Sequence, residues 1–503
     1  MELIDNKSKR WIQILKLLVS RNKWWTFQEI ADEKIGSVRA IQSDLEQMKT
    51  FKTEDGEPLI RMKPRQGVSI CFKQNLRVDY YIKEILKDNI EIRLIHGIFF
   101  EHKMSFHKWM ETLNISRSTL YNTINKINTA LEEYDIELRP DSMQFYGNEK
   151  EIRHFFVEFF FEIYGNRLWP FDQINKQDTA DLLQDLFQIL GVNVPDVAID
   201  KYCLWFAVFV HRIRQNFTIK RKFTYSMLEE KQTSEAKVVS NKISAWEEHI
   251  REKAKQKFNI TLDHHEFVFL FLIEPSIGHF KSIESIQEKL AFFRLHTPRL
   301  YEAIQSFIDQ LELIYHKEIS NRKLLSLLLL QYHVYTNEIT GRDGFLFKKK
   351  ARFVEEVKKQ LPYFYSRITN MIQQLKTDDI LAPFVRNQQE LICMITSNWR
   401  GLVQLEMERK THVNIFVTST LGYNHSLFIA DLIKTSAVHP IQIFTSPENF
   451  LNESYMAQSQ IDLIVTDTDL SDRCDRPTLM ISSFPTKKEL DNLHRTLSEM
   501  TNS

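Results

Sequence analysis

Apolar residues change their period twice along this chain. Up to about residue 150 they recur at helical spacing in short blocks broken by turn residues. From about 150 to 400 helical blocks run almost without a break, and after about 410 short β-type runs alternate with helices. The first block divides into two similar halves. In residues 1–75, Ile12, Leu15 and Val19 share one face of a helix over Trp11–Val19. Thr26-Phe27-Gln28-Glu29 is a capping box, in which the threonine hydroxyl takes the third amide and the glutamate reaches back to the cap. The helix Phe27–Glu33 should stop at Lys34-Ile35-Gly36, with Gly36 in the left-handed conformation. Ser37 caps a further helix whose inward face is Val38, Ile41, Leu45 and Met48, and strands Leu59–Met62 and Val68–Phe72 follow, joined through Pro64-Arg65-Gln66-Gly67.

Residues 80–147 repeat that order. A helix Tyr80–Phe99 precedes Ser105–Leu113, the short link Asn114-Ile115, and a helix capped by Ser116 whose inner face is Leu120, Ile124 and Ile127. Ile136–Leu138 and Met143–Tyr146 form a second hairpin around Pro140-Asp141-Ser142. Beyond it, Ile152 to Tyr164, Thr179–Leu190, Tyr202–Arg214 and Leu324–Thr336 carry aromatic-rich apolar faces, which predict one or two helical bundles with a boundary near Gly278–Ser285. Val413–Val417, Ile441–Phe444, Ile461–Val465 and Thr478–Ile481 predict strands, and Ser426–Lys434 and Lys487–Met500 predict helices. That alternation defines a small α/β domain with a mainly parallel sheet.

The fold class expected is therefore mainly α and multidomain: two winged helix-turn-helix units over 1–75 and 76–150, helical bundles over 151–282 and 283–405, and an α/β domain over 406–503. A low count of Gly (12) and Pro (13) in 503 residues agrees with helices. The formal net charge is zero but uneven: residues 1–75 hold 14 Lys/Arg against 10 Asp/Glu, and residues 440–503 hold 5 against 10. Any nucleic acid is expected at the basic end. Cys71, Cys203, Cys393 and Cys474 lie too far apart in sequence for a C-x-x-C site. Lys7, Lys9, Arg10 and Lys16 interrupt the first apolar run, and no stretch approaches a membrane span, so a cytoplasmic location is expected, with no membrane contact.

A helix-turn-helix works by laying its second helix in the major groove of duplex DNA, apolar inward and polar outward. Ser37–Lys49 and Ser116–Leu131 have that form. Arg39, Gln42 and Ser43 point outward in the first; Arg117, Ser118, Thr119, Tyr121 and Asn122 do so in the second. Arginine and amide side chains suit guanine and adenine edges, whereas hydroxyls, Lys49 and Lys126 suit phosphates. Arg65, at the tip of the first hairpin, takes the place of a wing residue at the minor groove. Catalytic, cofactor-binding and metal-binding residues are expected to be absent: there is no Walker loop, no H-E-x-x-H and no G-x-S-x-G.

Ser105 through Trp109 with Ile115 through Tyr121 resembles the second DNA-binding unit of the Mga/AtxA-type virulence regulators of Gram-positive bacteria. Tyr146-Gly147-Asn148-Glu149 with Ile152-Arg153 resembles the junction that leads such proteins into their regulatory domains. The resemblance covers essentially the whole chain. It implies two DNA-binding units, two helical domains of the phosphotransferase-system regulation type, an enzyme IIB-like domain, and an activator working as a homodimer or larger oligomer. It also implies histidine phosphorylation by a phosphocarrier protein. His333, in Gln331-Tyr332-His333-Val334-Tyr335, fits that pattern best and His211 comes next, while Ile273 and Ser397 stand where a second histidine is common. In the enzyme IIB-like segment, Ser419 stands where such domains resemble Cys-x-x-Gly-x-Gly-x-Ser. A serine hydroxyl is far less nucleophilic than a thiolate, so the loop is expected to dock or to bind an anion weakly, with Ser426 capping the next helix. Two other classes compete: an RNA-binding antiterminator sharing the helical domains, and a phosphocarrier of sugar transport. The duplicated winged helices oppose the former and Ser419 the latter.

Overall fold

The computed structural model describes residues 3–21, 23–52, 56–70, 78–101, 103–165, 168–219, 247–270, 279–280, 283–339, 344, 346, 349–409, 412–436, 441–446, 460–470 and 476–502. They form two compact units. One comprises 1–311, 321–356 and 368–398; the other comprises 312–320, 357–367 and 399–503.

The first unit opens with α1 (Asn6–Ser20), α2 (Phe27–Asp32), α3 (Val38–Met48) and the hairpin β1 (Ile60–Lys63) and β2 (Gly67–Ile70). Its three helices bury Ile12, Leu15, Leu18, Ile30, Ile41, Leu45 and Met48, the positions set by the 3.6-residue repeat. The left-handed residue after α2 is Lys34 (φ 58°), not Gly36 as expected. Gly36 serves close packing instead. A Cβ there would lie 2.9 Å from Cδ of Arg10, so the missing side chain lets α1 approach. Cys71 and Phe72, expected in the second strand, lie outside the described residues.

The second copy comprises α4 (Val78–Lys87), α5 (Ile90–Phe100), α6 (Phe106–Leu113), α7 (Arg117–Leu131), β3 (Ile136–Arg139) and β4 (Gln144–Gly147). The single helix expected over Tyr80–Phe99 is two. Asn89 breaks it, because its side-chain oxygen accepts from the Ile92 amide (3.0 Å) and starts a new helix. The sequence carried that signal in Asn89-Ile90-Glu91, hidden by continuous apolar spacing on both sides.

Helices then dominate: α8 (Glu149–Tyr164), α9 (Lys176–Leu190), β5 (Val192–Asn193), α10 (Asp196–Arg214), α11 (247–258), α12 (His264–Leu270) and β6 (His279–Phe280), which pairs with β5. After these come α13 (Ile283–His296), α14 (Pro298–Leu313), α15 (Arg322–Glu338), α16 (Lys349–Gln360), α17 (Pro362–Gln374), α18 (Pro383–Arg386), α19 (Gln388–Asn398) and α20 (Leu402–Arg409). Phe155, Phe156, Phe159 and Phe160 of α8 and the run Leu327–Leu330 of α15 are buried. Most of the segment 271–282, where a boundary between bundles was expected, lies outside the described residues. Among the described residues no helix is long and apolar enough to cross a membrane.

The second unit holds β7 (Val413–Thr418), α21 (Tyr423–Ser436), β8 (Ile441–Phe444), β9 (Leu463–Thr466), β10 (Thr478–Met480) and α22 (Lys487–Asn502). Its strands are all parallel, in the order β10-β9-β7-β8. Ile415, Val417, Leu463 and Val465 meet Ile429, Ile433, Leu493 and Leu497 on one face of the sheet. Phe416, Ile461, Ile464 and Leu470 fill the other. Glu406 of α20 explains why 357–367 belongs here. Its buried carboxylate accepts from the amides of Tyr363 (3.0 Å) and Phe364 (3.3 Å), where negative charge suits the open amides at the start of a helix.

Candidate nucleic-acid interface

Four side-chain caps build the two candidate DNA-reading surfaces. Thr26 and Glu29 form the reciprocal box, with the Glu29 amide 3.1 Å from the threonine hydroxyl and the Thr26 amide 2.7 Å from the glutamate. The Lys23 ammonium and the Thr26 donors hold the Glu29 carboxyl down at about 2. Ser37, Ser105 and Ser116 accept from the amides of Ala40, Lys108 and Thr119 respectively. Asn114 (φ 54°) supplies the sharp turn between α6 and α7.

Aligning cap Ser37 with cap Ser116 brings Ile41 onto Leu120, Asp44 onto Thr123, Leu45 onto Ile124 and Met48 onto Ile127, and all eight are buried. The outward residues Arg39, Gln42, Ser43 and Lys49 of the first helix and its cap, and Arg117, Ser118, Thr119, Tyr121 and Asn122 of the second, are exposed. In the first unit Arg39, Gln42, Ser43 and Glu46 line a groove of about 420 Å³ with Phe27 and with Met62 of β1. Arg65 stands exposed at the hairpin tip, itself in the left-handed region (φ 64°). The hairpin is held to the helices by Trp25, which exchanges backbone hydrogen bonds of 2.7 and 2.8 Å with Val68. Lys49 lies 2.6 Å from Glu46, an exposed pair that water screens.

Some expected contacts are already engaged within the protein. The Lys126 ammonium, expected on a phosphate, pairs with Glu91 of α5 and is half-buried. The Tyr121 ring packs 4.8 Å from Phe106, with the Arg117 guanidinium over it at 5.8 Å. Other residues here were missed at the sequence level because their partners are remote. Asp44, an acid on an inner face, takes Nε of Arg10 at 2.7 Å and so ties α3 to α1. Asn128 bonds both the amide (2.7 Å) and the carbonyl (3.0 Å) of Leu138, which locks α7 to its hairpin.

The candidate phosphorylation positions differ sharply. His333 is fully buried; its Nε2 lies 2.6 Å from the Ile380 carbonyl and its Nδ1 3.3 Å from the Asn337 amide. Burial lowers its affinity for a proton, against the pull of the Ile380 carbonyl. His211 is half-buried on α10. Its ring stacks on Phe99 at 4.5 Å, and Nε2 lies 3.0 Å from the Phe99 carbonyl at the end of α5. One residue on, Arg212 grips Glu149 through two hydrogen bonds of 2.9 and 2.6 Å at the start of α8. The end of α10 therefore touches the chain both before and after the second hairpin.

In the second unit the loop after β7 is already filled by an internal anion. The Asp467 carboxylate, at the end of β9, accepts from the Ser419 hydroxyl (2.7 Å), the Thr420 amide (2.8 Å) and the Thr420 hydroxyl (3.0 Å). Burial pushes that carboxyl up, but the donors from Ser419 and Thr420 outweigh it and hold it below the ordinary aspartate range. His425 Nδ1 lies 2.7 Å from the same Ser419 hydroxyl. The donors expected to receive an external anion thus face Asp467. Ser426, expected as a cap, sits inside α21 with its hydroxyl on the Gly422 carbonyl (3.3 Å).

Two serine-capped helices, each buried inward, polar outward and followed by a hairpin, define a regulator with duplicated winged helix-turn-helix units. Sequence comparison agrees. The Mga helix-turn-helix domain matches residues 74–160. The anthrax toxin expression trans-acting positive regulator of Bacillus anthracis is 22% identical over 98% of this chain and 98% of its own. The capsule synthesis positive regulator AcpB of the same organism is 23% identical over 61% of this chain and 62% of its own. A candidate trans-acting regulator of Streptococcus pneumoniae serotype 4 is 21% identical over 92% of each. The chain is a transcription regulator with a helix-turn-helix DNA-binding domain, and along its length it is similar to these trans-acting regulators.

Proposed function

We propose that this protein is a positive regulator that grips duplex DNA with α3, α7 and their hairpins, working as a homodimer or larger assembly. In this reading the five-part division at 75, 150, 282 and 405 holds, and the enzyme IIB-like end serves assembly. The observation that carries the reading is the shared register of the two helices, with matched buried positions and a polar face exposed on each. Positive control is drawn from the names of the Bacillus anthracis relatives.

Binding should fall steeply between 50 and 200 mM salt, because each phosphate neutralised releases a counterion. Arg117→Ala is expected to weaken binding about tenfold on every duplex and to lower the salt slope by about 1. Arg39→Ala should weaken it less. Fluorescence anisotropy on labelled duplexes measures both; affinity that ignores salt would sink the proposal.

A phosphocarrier protein is the second proposed partner, with His211 as the acceptor, since His333 is fully buried and His211 only half-buried. A phosphoryl group on Nε2 of His211 would replace the contact with the Phe99 carbonyl. It would set about two negative charges against the negative end of α5. Transfer from labelled phosphoenolpyruvate through the carrier should mark the wild-type chain and His333→Ala but not His211→Ala. Equal label on His211→Ala would remove His211 from the scheme.

A further inference from the structure

The two recognition helices share a register but not an outer face. Where α3 presents Arg39, Gln42 and Glu46, the aligned positions of α7 are Ser118, Tyr121 and Asn125. Arginine, glutamine and glutamate carry donor and acceptor patterns that suit base edges, whereas the hydroxyls of Ser118 and Tyr121 suit phosphate and sugar oxygens. Glu46 is the sharpest difference. Its side chain is 58% exposed, and it lines the same groove as Arg39, Gln42 and Ser43. A carboxylate has no favourable partner on a phosphate backbone, and in the major groove it can only accept. The cytosine N4 amino group is the donor that acidic side chains take there. Lys49, 2.6 Å away, offsets the charge and restrains the carboxylate.

We infer that α3 discriminates sequence while α7 grips the backbone, and that Glu46 selects a C·G pair by accepting from the cytosine amino group. This rests on the duplex-binding reading above. The test selects duplexes from a randomised pool with the full-length chain, then titrates the recovered duplex and its single-base-pair variants. The wild-type chain should prefer C·G at one position by about tenfold. Glu46→Gln, an exposed isosteric change whose amide suits adenine, should move the preference at that position alone away from C·G and keep or raise affinity for unselected duplex. Arg117→Ala should weaken all duplexes alike and leave the selected pattern intact. The inference is overturned if Glu46→Gln recovers the same pattern, if Arg117→Ala changes it, or if the wild-type chain binds every duplex equally well. Absence of any duplex binding by the wild-type chain would instead strike the underlying reading, and this inference with it.

Discussion

Replacing Arg153 with methionine should cost the first unit about 3–5 kcal/mol, the range for breaking one side of a buried ion pair. The Arg153 guanidinium is fully buried. It reaches Glu266 at 2.6 and 3.0 Å, Glu149 at 3.0 Å and the Phe217 carbonyl at 2.8 Å, and lies over the Phe209 ring at 4.9 Å. Methionine keeps much of the packing but leaves the Glu266 carboxylate, itself 1% exposed, with only the Ile219 amide as a neutral donor (2.8 Å) among the described residues. Glu149 keeps Arg212, so the loss concentrates on Glu266. Adding Glu266→Leu should recover part of the loss, because an apolar pair in place of a buried ionic one is often neutral or better. Denaturant titration followed by tryptophan fluorescence measures both variants. A change below about 1 kcal/mol for Arg153→Met would show that the network contributes little. Glu149 opens α8 two residues after β4, so duplex binding should fall along with stability.

Gly97→Ala should also destabilise, by about 1–3 kcal/mol, although alanine is normally the better helix residue by about 1 kcal/mol. The sign is reversed by a contact. A Cβ on Gly97 would lie 2.3 Å from Cη2 and 2.7 Å from Cζ3 of Trp109, whose indole is 97% buried between α5 and α6. A rigid ring cannot fold away, so α6 must move, and α7 follows it through the tight turn at Asn114. Thermal unfolding should register the loss, and binding to any duplex should weaken at temperatures where the wild-type chain binds fully. Trp109→Leu removes the obstructing ring at the cost of a cavity. Gly97→Ala made on top of it should do much less harm than it does alone. Additive effects in that cycle would dismiss the contact as the cause.

Local chemistry explains what could be read early. The caps at Thr26, Ser37, Ser105 and Ser116 act over three residues, and the inner faces repeat every three to four, so the helices and hairpins of both copies were legible. The α/β end was legible for the same reason: β-type runs in β7 and β9 are buried on both faces. The misplaced helix over Tyr80–Phe99 shows the limit of periodicity. Its apolar spacing runs across Asn89 without interruption, and only the competing side-chain cap marks the break.

The sequence by itself settled the class of elements, their order, the duplication and the positions facing outward on α3 and α7, since these depend on neighbours a few residues away. The tertiary structure alone decided which charges are spoken for. Lys126 meets Glu91 35 residues back, Asp44 meets Arg10 34 back, Ser419 meets Asp467 48 on, and Arg153 meets Glu266 113 on. A charged side chain at helical spacing looks the same whether solvent or a distant carboxylate receives it. Only the packing that removes water from one of them tells the two apart.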